Sequence, residues 1–473
     1  MLPCCRIAVL EVRQFPPDHA SEIAIPPAAV NRRGAQLRVN PDAYAGAAGT
    51  VVAMTPPARM EAGHWRERPT KAHRPPQESA EREVVVQAAK DAGDSRTKAR
   101  RIQVAAPALP DFEAALPLLR EIWNSGELTN GRTVAAFERK VAELMPGREV
   151  VAVNNCTAGL MLALRALNVH GEVLVPSFTF MASAHAIVWS GCRPVFVDCD
   201  PETLNVNVED LQRKITKHTG AIIAVYVSGN PPALDVLEKI AREHSLKLIL
   251  DAAHGLGSSF QGRPAGSFGD AEVFSLSPTK TITSCEGGLV SLREAESARR
   301  LRSGRNYGNP GNYDCEFIGL NARMSELHAL VGLQSLPHLQ RNVEERRRLV
   351  RLYTNALAKL RGVRLQRVEE GNLSSYKDFS LRIVEREFGA SRDEVRRVLE
   401  RSGIETRTYF DPPVHRMAAY RPWAPTRSED LAATELVAQQ ILNLPLYVGL
   451  REDDIARIVS IIEAVGTRTP VRV

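Results

Sequence analysis

Lys280 closes the segment Phe274-Ser275-Leu276-Ser277-Pro278-Thr279-Lys280, which runs on into Thr283-Ser284-Cys285-Glu286-Gly287-Gly288. A lysine on such a loop can form an imine with an aldehyde cofactor and, once released, shuttle protons. Taken alone, it has the bland reading of most lysines, a solvated surface charge. Three other segments share its setting just beyond a short apolar run. Asp251-Ala252-Ala253-His254 comes after Leu246 to Leu250; a carboxylate there could hold a protonated pyridine nitrogen and make the ring an electron sink, or simply cap a helix. Asn154-Asn155-Cys156-Thr157-Ala158-Gly159 leads into a helical pattern. Its backbone amides and hydroxyl suit a phosphate, and capping by Asn155 or Thr157 accounts for it as well. Pro176-Ser177-Phe178-Thr179-Phe180 brings aromatics to the same place, where a flat ring could stack on them or where they could be buried packing.

These segments need a scaffold that gathers strand ends. Val150-Val151-Ala152-Val153, Val173-Leu174-Val175 and Val195-Phe196-Val197 read as strands, with more expected at Ile222 to Val227 and Leu246 to Leu250. Helical patterns over Leu160 to Leu167 and Ala182 to Trp189 separate them. Short apolar runs alternating with helices predict a mostly parallel sheet covered on both faces. Ligands of such a sheet lie outside the carboxyl ends of the strands, where the four polar segments fall. From Arg323 to about Leu360 one long helical pattern is expected, with Arg341, Glu344, Glu345, Arg346, Arg347 and Arg348 read as a solvated face. Shorter mixed elements after it predict a second, smaller α/β domain.

The 473 residues allow two domains, and 44% hydrophobic with 25% charged residues is an ordinary globular balance. No apolar run approaches the ~20 residues of a spanning helix. Ile7-Ala8-Val9-Leu10 is too short for a secretory segment. Seven cysteines, at positions 4, 5, 156, 192, 199, 285 and 315, show no CxxC spacing; reduced thiols, no metal site and a cytoplasmic setting are expected. The net charge of +6 is concentrated in residues 1–101, which hold 16 Lys+Arg against 11 Asp+Glu. That stretch is Pro-, Arg- and Ala-rich and reads as a disordered basic extension rather than a nucleic-acid arm. A large domain over residues 102–345 and a smaller one over 346–473 are expected beyond it.

Polar turn, aromatic, Asp-Ala-Ala-His, then Ser-x-x-x-x-Lys before Glu-Gly-Gly: in that order the four segments resemble the cofactor site of the DegT/DnrJ/StrS sugar aminotransferases. The resemblance runs from about Ile102 to Val465. It includes Ser125-Gly126-Glu127-Leu128-Thr129-Asn130-Gly131 with Phe137-Glu138, similar to the family's substrate-side loop. It includes Gly319-Leu320-Asn321-Ala322-Arg323-Met324-Ser325-Glu326, similar to the segment by which one subunit reaches its neighbour's cofactor phosphate. Pro412-Pro413-Val414-His415 with Tyr420, and Leu442-Asn443-Leu444-Pro445-Leu446, resemble its C-terminal signatures.

The resemblance implies a fold-type I pyridoxal 5′-phosphate (PLP) enzyme, α/β, with a seven-stranded, mostly parallel sheet in the large domain. It implies Lys280 as the Schiff-base lysine and proton shuttle, and Asp251 as partner of the pyridinium nitrogen. His254 would lie against the ring or its phenolic oxygen, Phe180 would stack on the ring, and Thr157, Ala158 and Ser275 would hold the phosphate. Asn321 or Arg323 would act across a homodimer interface. The implied reaction passes an amino group from glutamate to a keto-sugar nucleotide, with a 4-keto-6-deoxyhexose favoured by the Ser125 to Gly131 loop.

Cys156 stands where the family commonly has Gly, Ser277 where His or an aromatic is common, and Arg132 where Pro usually comes after Asn-Gly. Val227-Ser228-Gly229-Asn230 replaces a more aromatic loop. These departures touch substrate choice rather than cofactor use. Two other readings are a PLP-dependent sugar dehydratase, which Lys280 argues against because those members carry His there, and a non-catalytic scaffold of the same fold, which has no need of Asp251.

Overall fold

The computed structural model describes residues 100–425 and 427–467. The extension expected over residues 1–101 lies outside them except for its last two residues; there Arg100 pairs with Asp454.

The main sheet is built from seven strands: β1 (Glu149–Val153), β2 (Glu172–Pro176), β3 (Arg193–Val197), β4 (Thr219–Val225), β5 (Lys247–Asp251), β8 (Ala271–Ser275) and β9 (Gly288–Leu292). They lie in the order β1-β9-β8-β5-β4-β2-β3. Between β5 and β8 the chain forms a small hairpin of β6 (Ser259–Phe260) and β7 (Arg263–Pro264). The pairs β2–β3, β2–β4, β4–β5 and β5–β8 are parallel, whereas β9 runs antiparallel to both β8 and β1. The strands are apolar on both faces because both faces are covered. Val151, Val153, Val173, Val175, Ile223 and Ile249 enter one core, and Val150, Ala152, Leu174, Ile222, Leu248 and Leu250 enter the other. The sheet is thus α/β and mostly parallel, as expected, with one reversed strand.

The helices before β9 are α1 (Phe112–Ser125), α2 (Arg132–Ala142), α3 (Cys156–Ala166), α4 (Met181–Trp189), α5 (Val208–Arg213) and α6 (Leu234–Glu243). After it come α7 (Ala295–Gly304), α8 (Glu326–Ser335) and α9 (Leu339–Leu357). Two expectations change. The strand expected through Val227 ends at Val225, and Val227–Gly229 turns away with Ser228 at φ 59°. The single helix expected from Arg323 is two, divided at Leu336-Pro337-His338, where Pro337 cannot donate the amide that would continue the first.

The supposedly solvated face of α9 is corrected at Arg346. This residue is 1% exposed, and its Nη1 donates to the carbonyls of Tyr376 (3.3 Å), Lys377 (3.1 Å) and Leu446 (3.1 Å). Arg341 and Glu344 remain exposed.

A second sheet, β10 (Val363–Leu365), β11 (Phe379–Ile383) and β12 (Ile441–Leu444), is antiparallel throughout. Its core joins α9 through Tyr353, which stacks on Phe379 at 4.7 Å, and reaches back to Ile102. Helix α9 therefore spans the boundary expected near residue 345. Among the described residues, no helix is long and apolar enough to cross a membrane.

One buried carboxylate fixes the start of α2. Glu326, 2% exposed, accepts from the amides of Gly131 (2.8 Å), Thr133 (2.7 Å) and Val134 (3.0 Å). It thereby joins the Ser125–Gly131 loop to the Gly319–Glu326 segment, and its charge suits the positive end of the helix. Glu326→Ala strands three amides and is expected to cost about 3 kcal/mol of unfolding free energy. Denaturant titration checks this, with Glu326→Gln expected to recover part of the loss.

Candidate functional site

The carboxyl ends of β1, β2, β5 and β8 bring the four polar segments to one crevice. Asp251, the last residue of β5, is 4% exposed and has both oxygens engaged. Ser183 Oγ donates to Oδ2 (2.6 Å), the Ala253 amide donates to Oδ1 (3.1 Å), and Thr179 Oγ1 lies 2.9 Å from Ser183 Oγ. Burial pushes the Asp251 carboxyl up, while Ser183, the Ala253 amide and Lys280 pull it back. Two donors aimed at a buried acid hold its oxygens in fixed directions.

Lys280 lies half-buried in the loop between β8 and β9, a loop that must double back because those strands are antiparallel. The turn is tied by the Ser284 amide to Leu276 O (2.9 Å) and by Thr283 Oγ1 to the same oxygen (3.0 Å). Asn342 Nδ2, from α9, binds Thr281 O at 3.0 Å. Burial and then Lys377 draw the Lys280 ammonium down to about 8, against Asp378, Cys156 and Asp251. The same desolvation, with Lys280 adding to it, holds His254 well below its usual range.

Helix α3 begins at this crevice. Asn155 caps it by accepting from the Ala158 amide at 2.8 Å. The Ala158 amide, in the residue expected to help hold a phosphate, is bonded to this cap. The Cys156 and Thr157 amides stand ahead of it in the first turn, where helix N–H groups lack intrahelical partners. Gly288 explains part of the Glu-Gly-Gly motif, since a Cβ there would meet the Asn155 carbonyl carbon at 2.7 Å. The lack of a side chain lets β9 pass directly beneath the cap. Cys156 is buried, and desolvation raises its thiol well above the ordinary range.

The two aromatics after β2 separate. Phe178 is fully buried, edge-on to Phe410 at 5.5 Å, whereas Phe180 is 54% exposed at the start of α4. Ser275 ends β8 and is 9% exposed. The Asn321 carbonyl accepts from Asn154 Nδ2 (3.2 Å), so that segment passes the start of α3 in its own chain. Arg323 Nη1 donates to Asn306 Oδ1 (2.6 Å), and its guanidinium lies 5.3 Å from the Tyr307 ring. Of the C-terminal signatures, His415 links Ser177 (2.6 Å at Nδ1) to Glu435 (2.7 Å at Nε2), and Asn443 accepts from the Tyr409 amide (2.6 Å).

Sequence reasoning missed Ser183, Lys377 and Asp378. Ser183 was visible as the one hydroxyl in Met181-Ala182-Ser183-Ala184. Lys377 and Asp378 were visible as adjacent opposite charges before an apolar strand. Lys377 Nζ donates to Asp378 Oδ1 at 2.6 Å, and Asp378 Oδ2 is 3.8 Å from His254 Nδ1. Burial alone would raise Asp378, but Lys377 and His254 hold it down at about 2.

Residues 112–463 match the sequence profile of the DegT/DnrJ/EryC1/StrS aminotransferase family. The chain is 31% identical over 365 residues to the dTDP-4-amino-4,6-dideoxy-D-glucose transaminase of Escherichia coli, covering 77% of this chain and 98% of the relative. It is 34% identical over 373 residues to the GDP-perosamine synthase of Caulobacter vibrioides, again covering 77% and 98%. Among solved structures, DesI, crystallised in the presence of its TDP-sugar product, superposes with a TM-score of 0.75 at 37% identity, covering 82% of this chain and 98% of that one.

Proposed function

The chain belongs to the DegT/DnrJ/EryC1/StrS aminotransferase family, and on that footing we propose that it transfers an amino group from glutamate to the keto carbon of a sugar nucleotide, using pyridoxal 5′-phosphate held at Lys280. The observation that carries the reading is the pairing of a buried, doubly hydrogen-bonded Asp251 with a lysine of lowered pKa at one crevice.

The residues fit the cofactor. An open helix start at Cys156 and Thr157, with Ser275 beside it, suits a phosphate. Exposed Phe180 offers a face for a ring, and Asp251 offers an anion for a ring nitrogen. When bound, the cofactor supplies an electron sink for the carbanion left by removal of the α-proton. Asp251 would keep a ring nitrogen protonated, and Ser183 and the Ala253 amide keep Asp251 aimed. The Lys280 amine would accept the α-proton and carry it towards the cofactor's C4′ carbon. Neutral His254 would present an imidazole rather than a cation to a bound ring.

We assign a 4-keto-6-deoxyhexose nucleotide as the acceptor, supported by the names of the two relatives and by the Ser125–Gly131 loop. We further propose a cytoplasmic homodimer in which Asn321 or Arg323 contributes to the partner's site. Exposed Trp123, Tyr313 and Ile318 support a surface that a second copy covers.

Incubating the cofactor-loaded protein with glutamate and a panel of keto-sugar nucleotides tests the acceptor. Turnover only of 3-keto sugars or cyclitol ketones would overturn it. Two further outcomes are expected. Ser183→Ala frees one Asp251 oxygen and is expected to lower kcat/KM about tenfold, the value of one hydrogen bond to a charged group; steady-state kinetics reads this. Cofactor uptake by stripped protein is expected to speed up as pH rises and to level off above about 8, because the neutral Lys280 amine is the reactive form. Stopped-flow absorbance between about pH 6 and 10 measures it.

A further inference from the structure

Resting on the reading of Phe180 and Asp251 as cofactor contacts, we propose that His415 is a positioning residue: through Ser177 it fixes the turn that carries Phe180 and the hydroxyls that aim Asp251. Ser177 follows β2 and is fully buried, with its amide on Val197 O (2.9 Å). Residues 414–415 close on it from the other side. The Val414 amide donates to Ser177 O (3.1 Å), the His415 amide donates to Ser177 Oγ (3.2 Å), and His415 Nδ1 stands 2.6 Å from the same Oγ. Two residues further on, Thr179 Oγ1 lies 2.9 Å from Ser183 Oγ, which donates to Asp251 at 2.6 Å. Each link from His415 to the Asp251 carboxylate is thus a hydrogen bond or a two-residue step of backbone.

The available hydrogens fix the tautomer. Ser177 Oγ accepts from the His415 amide, and among the described residues the other group bonded to it is Nδ1, so the hydroxyl hydrogen goes to Nδ1. The imidazole then carries its own hydrogen on Nε2, where Glu435 Oε1 accepts it at 2.7 Å. Burial lowers His415, in keeping with this neutral form. Glu435 Oε1 also accepts from Arg416 Nε (2.5 Å). The helix that brings Glu435, Ala432–Gln440, is held at its start by Asp198 just beyond β3, which accepts from the amides of Ala433 (3.0 Å) and Thr434 (2.7 Å). Serine, histidine and carboxylate in series have the composition of a hydrolase triad. Here the serine is fully buried with its hydroxyl committed on both sides, so the array holds the turn rather than attacking a substrate.

Asparagine places an acceptor where Nδ1 stands and glutamine places a donor where Nε2 stands, so two substitutions at one position separate the Ser177 contact from the Glu435 contact. In cofactor-stripped full-length protein, hydrogen exchange of the peptide over residues 177–183 is read by mass spectrometry. It is expected to quicken about tenfold in His415→Gln, the scale of one buried hydrogen bond, and to stay near the wild-type rate in His415→Asn. In loaded protein the visible circular dichroism of the cofactor, which reports how the ring is held, should shrink in His415→Gln while kcat falls about tenfold. His415→Asn should restore both. Were His415→Gln to fold poorly, Ser177→Ala removes the same contact from the other side and should give the same signature. Unchanged exchange and dichroism in the folded variants, an asparagine variant no better than the glutamine one, or equal quickening in the β9 peptide Gly288–Leu292 would each overturn the proposal. The exchange measurement uses neither cofactor nor substrate, so an error in the transaminase reading leaves it standing and shows itself separately, as a wild-type protein with no dichroic cofactor band.

Discussion

Lys280→Ala is expected to give a folded, colourless protein whose transamination falls by at least about 10⁴-fold. The side chain is asked to do two things that its neighbours cannot: attach the cofactor and carry a proton between two carbons. Lys377 and Asp378 are locked to each other, and His254 is held neutral by burial and by Lys280 itself. Folding should be spared, because the loop is tied by Thr283, Ser284 and Asn342 rather than by the Lys280 side chain. The measurement is twofold: borohydride reduction of wild-type protein should fix the cofactor to the Lys280 peptide, and the variant should retain neither absorbance nor label. A variant that keeps yellow colour and borohydride-fixed cofactor at another lysine would displace Lys280 from its role.

Asp251→Asn should cost about 10³-fold in kcat, the scale of losing one preorganised charge from a reacting centre, while the protein still takes up cofactor through Lys280. Asparagine keeps the volume and can still meet Ser183, so a fall in kcat without loss of cofactor would identify the charge as the missing element. Asp251→Ala, which also removes the carboxylate that Ser183 donates to, is expected to be worse. Near-normal turnover of Asp251→Asn would mean that the ring nitrogen needs no anion here.

The strand ends were legible because order and period are local. Val150 to Val153 and Leu246 to Leu250 have the length and apolar character of buried strands, so Asn154 and Asp251 had to lie at carboxyl ends. Arg346 was misread on its charge alone, although Val343, Arg346, Val350, Tyr353 and Leu357 keep a helical period that puts Arg346 on the apolar face. Lys377 and Asp378 were out of reach for a different reason. Their contact with His254 depends on how the small sheet docks beside the large one, and no window of sequence around residue 377 contains that information. The Asn154–Gly159 turn shows a third limit, since a phosphate cradle and an Asn155 helix cap have the same sequence signature, and only the cap bond to Ala158 is seen.

The reversed strand carries a cost in time. Strand β1 lies at the edge of the sheet and pairs with β9 alone, Glu149 opposite Leu292 and Val153 opposite Gly288. During synthesis the apolar run Val150-Val151-Ala152-Val153 leaves the ribosome long before its partner exists. Its unpaired edge must wait, exposed to solvent and to other nascent chains, while β2 to β8 assemble in the order they are made. Closing so long a loop is a slow step by topology alone. The strand that leads to the Asn154–Gly159 turn is thus among the first made and the last secured, and the crevice matures only when β9 has returned to pair with it.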